Sequence, residues 1–258
     1  MTDIKTYKTS KEAVIRVETP NSTRSWKPVG HNELIDSTLE SIHLAGFTLD
    51  KEDYSMARKG NVANGRYTIS NIADPEMQIQ IGWQNSIDKS LSLKYAIGVK
   101  IFICSNGCVS GDMGAFKRKH TGDIQEYTPR YITEYIKTAG DVFTQMQKER
   151  EEMKQIEVSR NIQAHLLGEL YLEHNIIQST QLNIIKRELE SPTFDYGAPN
   201  SLWELYQFTT FALRDTHPTL WMDSHIDSHK FFTDQTGIII PSVKIEPTSP
   251  FVQLNLFD

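Results

Sequence analysis

The chain has 258 residues, enough to bury a real hydrophobic core in one large unit or two small ones. Hydrophobic content of 38% and charged content of 23% are ordinary for a globular protein, and no run approaches the roughly 18 uninterrupted apolar residues that a bilayer span needs. The formal net charge of -6 opposes binding to nucleic acid unless cations are gathered locally.

Met1-Thr2-Asp3-Ile4-Lys5 has no apolar core of the signal-peptide kind. Cys104 and Cys108 are too few for a disulfide framework and suit a reducing compartment, so the expected location is a bacterial cytoplasm, with no membrane partner. The first apolar segment, Ala13-Val14-Ile15-Arg16-Val17, reads as an edge strand or a loose arm. From His31 the pattern turns helical, with Leu34, Ile35, Leu39 and Ile42 on one face, Pro28 upstream and Gly46 placed as a stop.

The next stretch reads as strands. Phe47 to Met56 is one candidate, and Arg66-Tyr67-Thr68-Ile69 follows an Asn64-Gly65 turn signal. Met77 to Trp83 alternates apolar with polar or small residues at period two, as a half-buried strand does. Lys94 to Cys104 is more apolar and reads as a central strand, with Asn106-Gly107 as a second hairpin turn. No helix separates these strands, so a mainly antiparallel sheet is expected over residues 47–110.

After Thr128 helical spacing returns. Ile132, Ile136, Ala139, Phe143 and Met146 support one long helix from about Pro129 to Val158. Further helix is expected from Ser159 through Glu173, from Thr180 to Leu189, and from Ser201 to Asp215 with Asn200 as its cap. The fold class is therefore α+β, with one domain over residues 26–240, β-rich at 47–125 and helical at 128–235. Pro241, Pro247 and Pro250 punctuate a polar stretch that reads as an extended linker within a tail of residues 241–258.

At the end of that linker stand Gln253-Leu254-Asn255-Leu256-Phe257. They resemble the clamp-binding peptides of bacterial polymerases and repair proteins, whose pattern is Gln-Leu-(Ser or Asp)-Leu-Phe. Asn255 departs from the usual Ser or Asp but is small and polar. A chance match of the other four at a fixed position is on the order of one in 60,000. The resemblance implies a partner, the sliding clamp (beta subunit) of bacterial DNA polymerase III. Leu256 and Phe257 would fill an apolar pocket while the Gln253 amide fixes register. A homo-oligomer would gain avidity on a ring-shaped clamp. The alternative is that the tail folds back on its own domain.

A second resemblance covers residues 26 to about 235. It rests on Trp26-Lys27-Pro28-Val29-Gly30-His31, Asn85-Ser86 with Asp88-Lys89-Ser90, Phe102 to Gly107, Arg118-Lys119-His120-Thr121 and Ser201 to Tyr206. Together these resemble the phage- and plasmid-borne "domain of unknown function 932" family, which implies a mobile-element setting and no stated activity.

Candidate nucleic-acid contacts are Lys89, in a polar loop that is either a phosphate holder or an ordinary turn, and the basic run Lys117, Arg118, Lys119 and His120. Cys104, Cys108 and His120 lack a fourth ligand and fit no standard zinc spacing. Asp223, His225, Asp227 and His229 alternate at a spacing of two and read best as a surface helix, so neither a metal nor a cofactor is expected. Phosphate-binding Gly-rich loops and the Gly-x-Ser-x-Gly elbow are missing from the sequence, which counts against an ATPase, a dinucleotide enzyme or an α/β-hydrolase. Three functions follow as expectations. They are an accessory or annealing protein at the replication machinery, a clamp-occupying inhibitor or anti-defence factor, and, least favoured, a hydrolase or nuclease using the Asp/His segment.

Overall fold

A computed structural model of the chain describes residues 7–70, 74–101, 107–109, 115–216 and 220–236. Its framework is an antiparallel sheet in the order β1-β2-β3-β4-β5-β6. The strands are β1 (Tyr7–Thr9), β2 (Thr48–Ala57), β3 (Val62–Ser70), β4 (Met77–Ser86), β5 (Leu93–Ile101) and β6 (Gly107–Val109). A further strand, β7 (Ala115–Arg118), pairs with the first half of β5, while β6 pairs with its second half. The α+β expectation holds, and β1 and β7 extend the sheet beyond residues 47–110 at both ends.

Alternation gives the sheet two different faces. Tyr67, Ile69, Ile79, Ile81, Trp83, Tyr95, Ile97 and Val99 all point to one side and form the centre of the main core. Helix α2 (His31–Leu44) lies against them, fixed by the Tyr95 hydroxyl donating to Thr38 Oγ1 at 2.9 Å and by His31 stacking on Trp83 at 6.2 Å. Helices α3 (Ile124–Lys137) and α4 (Ala139–Gln155) complete that layer through Ile132, Tyr135, Ile136, Val142 and Phe143.

The remaining helices are α1 (Lys11–Ile15), α5 (Arg160–Gly168), α6 (Ser179–Glu190), α7 (Leu202–Ala212) and α8 (Trp221–Thr236). A single π-helical turn, Glu169–Glu173, continues α5. The start of α8 lies on the opposite sheet face, where Met222 and Ile226 pack on Ala96. Its far end returns Phe231 and Phe232 to the main core. Gly82 leaves room there: a Cβ on it would stand 3.8 Å from the Met222 methyl.

Four local expectations are corrected. Ala13 to Val17 is not a strand: α1 forms there, capped by the Ser10 hydroxyl, and its Val14 is fully buried in the core. Asn64-Gly65 is not a hairpin turn but lies inside β3, and the chain reverses instead at Arg58–Gly60. Gly65 is needed because the Trp83 indole lies flat over it; a Cβ would meet Trp83 Cε2 at 2.6 Å, a contact no packed core tolerates. The long helix from Pro129 is two helices: α3 begins earlier, at Ile124, and ends at Thr138, whose hydroxyl donates to the Tyr135 carbonyl at 2.8 Å. Finally, Ser201 rather than Asn200 caps α7, accepting from the Glu204 N–H, while Asn200 sits at φ +59.

Candidate functional site

One end of the sheet gathers segments that are far apart in the chain. The β2–β3 turn carries Arg58 and Lys59, both in the left-handed region at φ +50 and +58. The β4–β5 turn carries Asp88 and Lys89, the latter at φ +67. Non-glycine residues rarely take this conformation, so two such turns side by side are a specified feature. They are joined by the Ile87 N–H donating to the Asn61 carbonyl at 2.9 Å and by Arg58 Nη1 standing 3.4 Å from Asp88 Oδ2. Burial alone would raise the Asp88 carboxyl. The Ser90 hydroxyl, the Ser90 backbone N–H and the Arg58 guanidinium outweigh it and hold the group below its ordinary value.

The segment Trp26 to His31, leading into α2, closes over these turns. Lys89 Nζ lies over the Trp26 ring, 5.0 Å from its centre, a cation–π contact. The Lys27 N–H donates to the His120 carbonyl at 2.8 Å, and the Val29 N–H reaches His120 Nδ1 at 3.4 Å. Asn85, wholly buried at the end of β4, donates from Nδ2 to the Val29 carbonyl at 2.8 Å and to His31 Nδ1 at 3.0 Å. His31 Nε2 in turn donates to the Gly60 carbonyl at 3.0 Å. The Gln125 amide, one residue into α3, donates to the Pro28 carbonyl at 2.6 Å. So Trp26–His31, Asn85, Lys89 and His120, which the sequence presented as separate motifs, meet at one place.

The basic run at the end of β7 is divided by strand alternation. Lys117 is exposed on the face that carries Lys94 and α8, whereas Arg118 turns the other way, beside Tyr131 of α3. Lys119 is exposed next to the cluster, and His120 is buried at 4% exposure. The exposed cations at this end are therefore Lys89 and Lys119, with Arg58 and Lys59 exposed and Lys27 half-buried as neighbours that the sequence did not single out. His120 serves as a scaffold beneath them.

The two histidines are held neutral. Burial pushes His31 down to about 4, against the opposing pull of the Gly60 carbonyl. Burial likewise lowers His120, with the Lys27 backbone opposing it. A histidine with a folded pKa below its unfolded value of about 6.5 contributes stability that is present above that pH and lost as pH falls towards the folded value. Urea midpoints should therefore decline between about pH 6.5 and about pH 4. His31→Gln, which keeps a donor for the Gly60 carbonyl, should flatten that decline, leaving the smaller His120 contribution.

Elsewhere, α8 sorts the Asp/His segment by face. Asp223 Oδ2 accepts from Lys94 Nζ at 2.6 Å, and Asp227 lies nearby, its carboxyl raised by burial and by the Asp223 charge. His225 is buried against Trp221, ring centres 5.1 Å apart, and His229 is buried near Glu149. Among the described residues, no three His, Cys, Asp or Glu side chains cluster so as to hold a metal ion. Cys104 and the tail residues Gln253, Leu254, Asn255, Leu256 and Phe257 lie outside the described residues.

The family described as Domain of unknown function (DUF932) matches residues 38–221, well over half of the chain. The chain belongs to that family. The matched span of DUF932 includes Asn85, Lys89 and His120 but begins after Trp26–His31, so the lid over the cluster lies just outside it. Neither curated proteins nor solved structures gave a match. Among the described residues no helix is long and apolar enough to cross a membrane.

Proposed function

We propose that this chain is an accessory protein of a phage or plasmid, recruited in the bacterial cytoplasm to the host sliding clamp through Gln253–Phe257. Its folded body holds single-stranded DNA during replication or recombination. The observation that carries the second half is the gathering of Lys27, Arg58, Lys59, Lys89 and Lys119 at one end of the sheet, with Lys89 over the Trp26 ring, in a chain whose net charge is -6. Local concentration of cations beside an aromatic ring is what an acidic protein needs to hold a phosphate backbone and a base face together. The first half rests on the tail: two apolar side chains at the end of a proline-punctuated stretch, in the order that clamp pockets accept. An antiparallel sheet backed by helices is compatible with an annealing protein, by analogy of fold alone.

The net acidity favours a second reading, in which the protein occupies the clamp as an inhibitor or anti-defence factor and leaves DNA alone. Direct titration of the clamp with the full chain and with Leu256→Ala/Phe257→Ala separates the possibilities when paired with retention of a labelled single strand. Recruitment predicts an affinity of about micromolar strength that the double variant loses. The DNA-holding reading predicts strand retention at low salt that falls steeply as salt rises. Equal clamp affinity for both chains removes the recruitment claim. Clamp binding without strand retention at any salt favours the inhibitor.

A further inference from the structure

The cluster beneath Lys89 leaves two nitrogen donors without acceptors. His120 Nδ1 accepts from the Val29 N–H, so the proton of the neutral ring sits on Nε2. That Nε2 is buried and has no hydrogen-bond partner, and the same is true of the Trp26 indole nitrogen, which can only donate. Buried donors are nearly always satisfied, because leaving one unpaired forfeits its hydration for nothing. Here both belong to the same cluster, since Lys27 is bonded to the His120 backbone and Lys89 lies over Trp26. Two unpaired N–H donors and an exposed ammonium within one cluster are the groups that an oxyanion requires.

We propose, building on the nucleic-acid reading above, that Trp26 Nε1–H, His120 Nε2–H and the Lys89 ammonium hold one phosphate group. The group is either an internal phosphodiester or the terminal phosphate of a strand; both present the oxygens these donors require. The competing occupant is a water bridging His120 Nε2 to Asn85 Oδ1, the latter also buried without a partner.

The full chain offers a direct readout, because its indole N–H signals are few and His120 and Trp26 can be assigned by substitution. Inorganic phosphate, a short thymidine strand and the same strand carrying a 5′-phosphate are titrated separately while the Trp26 indole proton is followed by NMR. A saturable downfield shift with phosphate is the expected result. If only the 5′-phosphorylated strand reproduces it, the site takes a terminal phosphate; if both strands do, it takes the backbone. Trp26→Phe, His120→Asn (which keeps an acceptor for Val29) and Lys89→Gln should each weaken binding about tenfold or more. Strand binding with an unmoved Trp26 signal, and undiminished in Trp26→Phe and His120→Asn, overturns the phosphate site and leaves the nucleic-acid reading standing. A phosphate shift with no strand binding does the reverse.

Discussion

Asp74→Asn should cost the fold about 3 kcal/mol, read as a lowered urea midpoint at neutral pH with an unchanged denaturant slope. Asp74 stands just before β4 and accepts from Arg150 Nη1 of α4 at 2.8 Å; the two side chains are only 3% and 8% exposed. It also accepts from Gln147 Nε2 at 2.7 Å and from the backbone N–H groups of Glu76 and Met77, both at 2.8 Å. Burial alone would raise this carboxyl, but the Arg150 guanidinium, the Gln147 amide and the two backbone donors outweigh it and bring it to about 2.

An asparagine has the same shape but offers one oxygen to four donors and turns an amide N–H towards a guanidinium. The loss belongs at the lower end of what a broken buried pair costs, because Glu151 at 2.7 Å and Glu76 at 3.8 Å still face Arg150. The folded pKa lies below the unfolded one, so this stabilisation is complete above about pH 4 and is lost as pH falls towards about 2. In Asp74→Asn that acid limb should shrink. A change under about 1 kcal/mol with the acid limb intact would mean that the pair is decorative.

What the sequence disclosed of this fold follows the range of the interactions involved. The α2 stripe of Leu34, Ile35 and Ile42, and the β4 alternation of Ile79, Ile81 and Trp83, are local patterns, and each appears in the structure on the face expected of it. Gly46 is also local: it takes φ +77 directly after α2. Errors arose where a local pattern fits two structures or where a distant partner decides. A short apolar run such as Ala13–Val17 fits either a strand or one helical turn, and the Ser10 cap tips it to helix. Asn64-Gly65 has the composition of a turn, yet Trp83 from the next strand requires a glycine there inside the sheet.

The site shows the same division. Lys89 and His120 were visible as motif residues, but their meeting depends on Trp26 and Lys27 crossing between two turns, which only the sheet order brings about. Arg58 and Lys59 carried no motif, and nothing in the local sequence marks their left-handed backbone. The basic run is divided for a physical reason: consecutive residues on a strand face opposite ways, so Lys117 and Arg118 lie on different faces of the sheet.

The second large effect concerns the seat of α8, the helix from which the tail departs. His229 Nε2 stands 3.1 Å from Glu149 Oε2, close enough to pair by charge but out of line for a hydrogen bond, and both side chains are 2% exposed. His229 Nδ1 is 3.1 Å from the Tyr206 hydroxyl of α7, and Glu149 Oε1 accepts from Gln145 Nε2 at 3.0 Å. Three helices thus meet at one polar contact inside an apolar core. His229→Ala strands the Glu149 carboxylate with a single amide for company, and the expected loss is 3–5 kcal/mol, on the order of what an uncompensated buried charge costs. Replacing both partners, as Glu149→Leu/His229→Leu, removes the charge together with its need for a partner, so most of that loss should be recovered. Thermal unfolding of the two singles and the double closes the cycle; additive losses would rule out a coupled pair. The same variants bear on the tail. A peptide that docks by itself needs no seated α8, so clamp affinity in His229→Ala should match the parent even as its melting temperature drops. A parallel loss of both would tie docking to the body and return the tail to the fold-back alternative.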